Sequence, residues 1–334
     1  MIGFIGTCQA PTEKASQYDT AYMTRFLVVG GAHIDRRARI SGTTIAGASN
    51  PGKWQDEPGG GGFNAARNLA ALGNLVTMVC VRGGDATGQL VENAAEAAGI
   101  NDLAQVFLDR ATPSYSAILE HSGDLVIAVA DMELYDLFSR RMLSRKSIRQ
   151  AIADCDAILC DANLPADTLS ALSERAVREN KPLAAIAISP AKVGRLAGTF
   201  EHLSALFLNR AEAAAVCGET VTSDLWPQAL KAQGIKRAVI TRGAQPVLGF
   251  EENRVFEISP PEIEALVDVT GAGDALAAAT MHAMAKGIDF CDAVRFGIAA
   301  ARIAVQSPHA SPPDLNAQTL HAAFELVPEA VFLS

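Results

Sequence analysis

Val267-Asp268-Val269-Thr270-Gly271-Ala272-Gly273-Asp274 is the stretch of this chain whose residue types and spacing could do chemistry. It runs into an Ala-rich segment through Lys286 that reads as a helix stopped at Gly287. Small residues at a helix start leave the amides of Ala272, Gly273 and Asp274 free to point at an anion, and the helix dipole favours negative charge there. Asp274 would stand in the first turn, ionised at neutral pH from a reference pKa of about 4. Within reach of a hydroxyl, it could take the proton as that oxygen attacks phosphorus. The alternative is a plain N-cap.

A second stretch, Pro58-Gly59-Gly60-Gly61-Gly62-Phe63-Asn64, leads into Ala65-Ala66-Arg67-Asn68-Leu69-Ala70-Ala71-Leu72-Gly73, a helix with a glycine stop. Four glycines before a helix let a ligand approach the backbone closely. A flexible linker is the alternative, but linkers rarely separate a sheet strand from a helix. The segment matches neither G-x-x-x-x-G-K-[ST] nor G-x-G-x-x-G with a following acid, which excludes a P-loop kinase. A third candidate is Asp35, just after the apolar run Phe26-Leu27-Val28-Val29 and Gly30-Gly31. In open parallel sheets ligands collect beyond such strand ends.

These residues need a scaffold, and the chain alternates predicted strands with predicted helices. The strands are Leu75 to Val81, Ala157 to Cys160, Leu183 to Ile188, Ala205 to Leu208 and Arg237 to Ile240. Between and after them come helices at Gly88 to Ala98, Thr168 to Glu179, Glu212 to Cys217 and Leu225 to Gln233. That order predicts an α/β fold with a mainly parallel sheet covered by helices on both faces. Two polar excursions, about 36–57 and 112–131, read as small β structures, the second a hairpin turning at His121-Ser122-Gly123-Asp124.

Composition sets the outer bounds. The chain has 334 residues, 28 Lys plus Arg against 37 Asp plus Glu, a net charge of −9 and 49% hydrophobic residues. This excludes global disorder and gives no basic footprint for a nucleic-acid polymer. No run of eighteen apolar residues occurs, so no ordinary membrane span is expected. The six cysteines include no C-x-x-C and read as thiols of a reducing cytosol, which predicts a cytoplasmic protein. Residues 1–24 read as a disordered or non-native tail, Met23 as a candidate start, and 25–330 as the working domain.

Glycine-rich loop, strand-end Asp35 and the late anion hole together resemble the ribokinase-like (PfkB) carbohydrate kinase family over roughly Phe26 to Pro313. The resemblance implies a three-layer fold with a small β-sheet lid, ATP and Mg2+ as cofactors, and a small nucleoside or sugar as substrate. It implies that Asp35, Gly60, Gly61 and Asn64 hold sugar hydroxyls, that Asp274 is the catalytic base, and that Gly271, Ala272 and Gly273 complete the anion hole. Asn209-Arg210-Ala211-Glu212 resembles the family's N-x-x-E, in which Asn209 and Glu212 organise magnesium, its water and the ATP phosphates. Thr241-Arg242-Gly243 resembles the nucleotide loop T-x-G-x-x-G, with Pro246 in place of the last glycine. Asp268 and the Thr270 carbonyl stand where many members bind a monovalent cation such as K+, a structural turn being the alternative. Lid edges often pair between subunits in this family, so a homodimer through the lid strands is expected.

Three local texts, Ala48-Ser49-Asn50-Pro51-Gly52, Ala130-Asp131-Met132 and Asp161-Ala162-Asn163-Leu164, look like the family's pseudouridine kinase branch. On that resemblance Asp131 and Asn163 join the substrate-binding residues, with Asn50, Ile118 and Met132 offering polar edges and a surface to a uracil ring. Gly61, where many ribokinases have Lys, argues against ribokinase proper. Phe63 is expected to pack beneath the loop more readily than to stack on substrate, and His33 to be a packed strand-end residue.

Overall fold

The structure, a computed structural model, describes residues 23–333. The tail expected over 1–24 lies outside them apart from Met23 and Thr24. Central to the fold is a ten-stranded sheet. Its parallel strands are β1 (Arg25–Val29), β4 (Leu75–Val79), β6 (Asn101–Asp102), β10 (Ala157–Asp161), β11 (Leu183–Ile186), β12 (Leu203–Asn209) and β13 (Arg237–Arg242). Three antiparallel strands, β14 (Gln245–Glu251), β15 (Arg254–Ile258) and β16 (Val331–Leu333), extend one edge. The spatial order is β16-β15-β14-β13-β12-β11-β10-β1-β4-β6.

Strand β1 explains the layering. Phe26 and Val28 pack into an apolar cluster with helices α1 (Gly61–Ala71), α2 (Ala86–Ala97), α7 (Ala272–Ala285), α8 (Phe290–Val305) and α9 (Ala317–Phe324). Leu27 and Val29 point the other way, into a cluster with α3 (Lys146–Asp154), α4 (Ala166–Arg178), α5 (Arg210–Cys217) and α6 (Trp226–Ala232). A strand buried on both faces must read as an unbroken apolar run, because its side chains alternate between two cores.

The excursions form a second sheet ordered β3-β2-β8-β9, from β2 (His33–Ile40), β3 (Gly52–Gly59), β8 (Ser114–Leu119) and β9 (Leu125–Asp131). The expected hairpin is β8 with β9, antiparallel from Ser114↔Asp131 onward. A two-stranded parallel ribbon, β5 (Val81–Gly83) with β7 (Gln105–Phe107), completes the strands. The order in which strands are added reverses at β1: one parallel neighbour, β4, comes soon after it and the other, β10, much later. That is a topological switch point, and the crevice beyond it is where an α/β sheet takes its ligand.

Candidate active site

Beyond the switch point, the carboxyl of Asp161 at the end of β10 is fully buried. Its Oδ2 accepts the N–H of Gly31 and the N–H of Gly62, each at 2.8 Å, and its Oδ1 accepts the N–H of Asn163 at 2.9 Å. Asn163 Nδ2 adds a fourth bond at 3.1 Å. Three backbone donors and an amide converge on one carboxylate, which pins the glycine loop to the end of β1. A Cβ on Gly62 would sit 2.9 Å from Asp161 Oδ2, so this approach needs glycine. A single acid such as Asp161 carries no signal of its own in the sequence. The helix α1 also starts at Gly61 rather than Ala65, so Gly61 and Gly62 form its first turn instead of a loop before it.

From that first turn, Asn64 Nδ2 donates to Asp274 Oδ2 at 2.9 Å. Its Oδ1 accepts from Arg67 Nη2, also at 2.9 Å, which fixes which way the amide faces. Arg67 donates as well to the Pro58 carbonyl, and its guanidinium lies 5.1 Å over the Phe63 ring. Phe63 is 1% exposed and packs beneath the loop, as expected. Burial pulls the Arg67 guanidinium below its ordinary value, against the opposing fields of Glu57, Asp35 and Asp274.

Asp274 stands in the first turn of α7. Gly271, ahead of it, has φ 78°, and a Cβ there would meet the Ala310 carbonyl oxygen at 2.4 Å. Only glycine makes this turn. The N–H groups of Gly273 and Asp274 have no acceptor among the described residues, whereas that of Ala272 bonds the Val269 carbonyl at 3.3 Å. The amides left open at this turn are therefore those of Gly273 and Asp274, and the expectation of a free amide at Ala272 is corrected. A second correction concerns charge: burial pushes the Asp274 carboxyl up to about 7, the Asn64 hydrogen bond opposing and Asp161, Asp35 and Glu212 adding to the rise. It is not simply ionised at neutral pH, but poised between its two forms.

All of this opens on one cavity of about 490 Å³. Asp35, Gly60, Gly61, Asn64, Asn163, Asn209, Glu212, Thr241, Thr270, Gly273 and Asp274 line it. His33 lines it too: the ring is buried as expected, yet bridges Tyr135 (Nδ1 to Oη, 2.8 Å) and Asp35 (Nε2 to Oδ1, 3.3 Å). Lys192, unnoticed in the sequence, is the lining's one lysine or arginine among the described residues, and its Nζ donates to Asn163 Oδ1 at 2.6 Å.

Four predicted residues, Gly243, Asp268, Gly271 and Ala272, are not among the lining residues, and neither is Asp131. Asp131 is exposed on β9, while its neighbours Ala130 and Met132 line the cavity. Strand alternation sends every second side chain to the opposite face, which places Asp131 outside the cavity that its neighbours line. Asn50 closes its own turn, bonding the Ile45 N–H and the carbonyls of Ile45 and Ala48, and neither it nor Ile118 lines the cavity.

Asn209 and Glu212 form a capping box on α5. Glu212 accepts the Asn209 N–H at 2.7 Å and its Nδ2 at 2.8 Å, and Asn209 Oδ1 accepts the Glu212 N–H at 3.0 Å. Burial raises the Glu212 carboxyl above its ordinary value. Each of its oxygens keeps a lone pair able to accept from a metal-bound water, so the pair fits a hydrated hard cation. Asp268 is different. Its Oδ2 meets Arg37 Nη1 at 2.7 Å and its Oδ1 accepts the Thr270 N–H at 2.8 Å. Burial would raise this carboxyl, but Thr270 and Arg37 hold it below the ordinary range. With a guanidinium already at the carboxylate, these residues do not fit a bare monovalent cation.

The comparisons with known proteins point the same way. The chain is 26% identical over 295 residues to the pseudouridine kinase of Escherichia coli (strain K12), covering 87% of this chain and 93% of that protein. A carbohydrate kinase from Agrobacterium tumefaciens superposes with a TM-score of 0.85 at 50% identity, covering 93% of this chain and 100% of the other. An Arabidopsis thaliana ribokinase complexed with ribose and ATP shares the fold, with a TM-score of 0.79 at 21% identity over 91% of this chain and 99% of that one. The family model of pfkB family carbohydrate kinases matches residues 23–317, and with so much of the chain matched, the protein belongs to that family of sugar and nucleoside kinases.

Proposed function

We propose that this kinase transfers the γ-phosphoryl group of ATP to the 5′-hydroxyl of pseudouridine, giving pseudouridine 5′-phosphate and ADP. The observation that carries the reading is the Asp274 carboxyl beside two unpaired amides, in the same cavity as Asp35 and Asn64. Asp35, Asn64 and Asn163 hold the ribose, with the backbone of Gly60 and Gly61 close against it. Asp274 takes the proton of the 5′-hydroxyl as that oxygen bonds to the γ-phosphorus, and the bond from phosphorus to the β,γ-bridging oxygen breaks. The Gly273 and Asp274 amides face the charge on the transferring group, a contribution made without reorganisation because the turn is already set. Thr241 belongs to the nucleotide side, with Gly243 shaping the turn behind it. Asn209 and Glu212 are the residues that would organise Mg2+, which when bound offsets phosphate charge.

Three things support pseudouridine over other acceptors: the likeness to a pseudouridine kinase, the branch-like local texts, and Ala130 and Met132 in the lining, where a base would lie beside the ribose. A panel of pseudouridine, uridine, adenosine, ribose and fructose with ATP tests the choice. Preference for adenosine or a free sugar would move the assignment to another ribonucleoside or sugar kinase of the family.

The same reading extends to assembly and setting. Leu125, Ile127 and Val129 are exposed at alternate positions of β9, the edge of the lid sheet, and suit pairing with a second copy. Sedimentation should give a dimer, weakened by Ile127→Lys. The five cysteines among the described residues are free thiols, in keeping with a cytoplasmic setting.

A further inference from the structure

Arg37 joins two parts of the molecule that the proposed reaction must bring together. It lies on β2 two positions beyond Asp35, and so on the same face of that strand. Its partner Asp268 belongs to the segment that leads into the anion hole, 231 positions later in the chain. Both side chains are 25% exposed, a partly screened setting in which a charge-assisted bond of 2.7 Å is worth more than a surface pair. The other Asp268 oxygen holds the Thr270 N–H, and Thr270 lines the cavity directly before the Gly271 turn. Guanidinium, carboxylate and amide thus form one chain of contacts from the sugar-side sheet to the phosphate-side turn.

We propose that Arg37 is a positioning residue: through Asp268 it supplies, from the chain itself, the positive charge that fixes the Thr270–Gly271 turn, so that phosphotransfer needs no monovalent cation. The proposal rests on the kinase reading above. A carboxylate whose charge is already met by a guanidinium has little to offer a weakly held alkali ion, which would have to displace a group attached to the same molecule. The pairing also makes the anion hole sensitive to where β2 lies, because a shift of the lid sheet moves the Asp268 partner.

The test compares K+, Na+ and tetramethylammonium chlorides at equal ionic strength, with two readouts. For the unchanged protein, the thermal unfolding midpoint and the rate of ATP-dependent phosphorylation are expected to agree across the three salts, rates within about twofold. Arg37→Gln opens the carboxylate. Its unfolding midpoint is expected to rise in K+ relative to tetramethylammonium, its kcat to fall at least tenfold with KM for the acceptor less affected, and K+ or added guanidinium to restore part of the rate. Arg37→Lys should fall between. Tenfold or greater activation of the unchanged protein by K+, or an Arg37→Gln variant with normal kcat in every salt, would overturn the proposal. Should Arg37→Gln not fold, the salt series on the unchanged protein still decides. Loss of all phosphorylation with every acceptor would instead count against the kinase reading, which the unfolding series does not depend on.

Discussion

Asn64 donates a 2.9 Å hydrogen bond to the Asp274 carboxylate although 210 positions separate them. The bond ties the first turn of α1 to the first turn of α7, and it favours the ionised form of an acid that burial pushes towards neutrality. Arg67 holds the far side of the amide, so the donor cannot turn away.

Asp274→Asn keeps this geometry and removes the proposed base. Turnover is expected to fall by about two to four orders of magnitude. Stability moves the other way. A carboxyl whose folded pKa of about 7 lies above its unfolded value of about 4 contributes stability below the unfolded value and loses it as pH rises through the folded one. At pH 8 the unchanged protein carries a buried charge that the variant lacks. Calorimetry should therefore show a higher midpoint for the variant at pH 8, with the gap closing at pH 5.

The role proposed for this carboxyl also carries an expected pH dependence. If Asp274 is the base, it acts in its ionised form, and kcat/KM is expected to rise with pH and level off above about 7. A flat profile between pH 5.5 and 8 would separate the base from this residue.

Asp161→Ala leaves the N–H groups of Gly31, Gly62 and Asn163 without their acceptor in a buried site. Each unmet donor costs about 1–3 kcal/mol, so a loss of about 3 kcal/mol or more in urea unfolding is expected. A loss under 1 kcal/mol would show that water fills the place.

Asp131→Ala and Asn163→Ala are expected to part company. The first alters an exposed side chain of β9 and should leave KM for the acceptor unchanged, while the second removes a cavity-lining amide and should raise it about tenfold or more. Equal effects in steady-state kinetics would restore Asp131 to the site.

Much of this architecture was readable because the central strands are buried on both sides: Ala157-Ile158-Leu159-Cys160 has no polar position, and polar, turn-rich text set the lid apart. The antiparallel edge β14 to β16 escaped notice because residues such as Arg254 and Glu257 break the apolar runs there. At the site, residues carried by motif, Asp35, Asn64, Asn209, Glu212 and Asp274, do meet in one cavity. What a linear text could not convey was pairing at long range. Asp161, Arg67 and Arg37 look like any other charged residue until folding places Gly62, Asn64 and Asp268 against them. Nor could it convey the shift in Asp274, which arises from enclosure and three neighbouring acids rather than from its own sequence context.

Gly271 turns with the backbone of Ala310 directly behind it. This corner is thus cast in a mould that the ribosome delivers after the corner itself. A chain that stops short of Ala310 would carry the acid and both amides yet lack the wall that shapes them, so the proposed site can take its form only once that residue has been made.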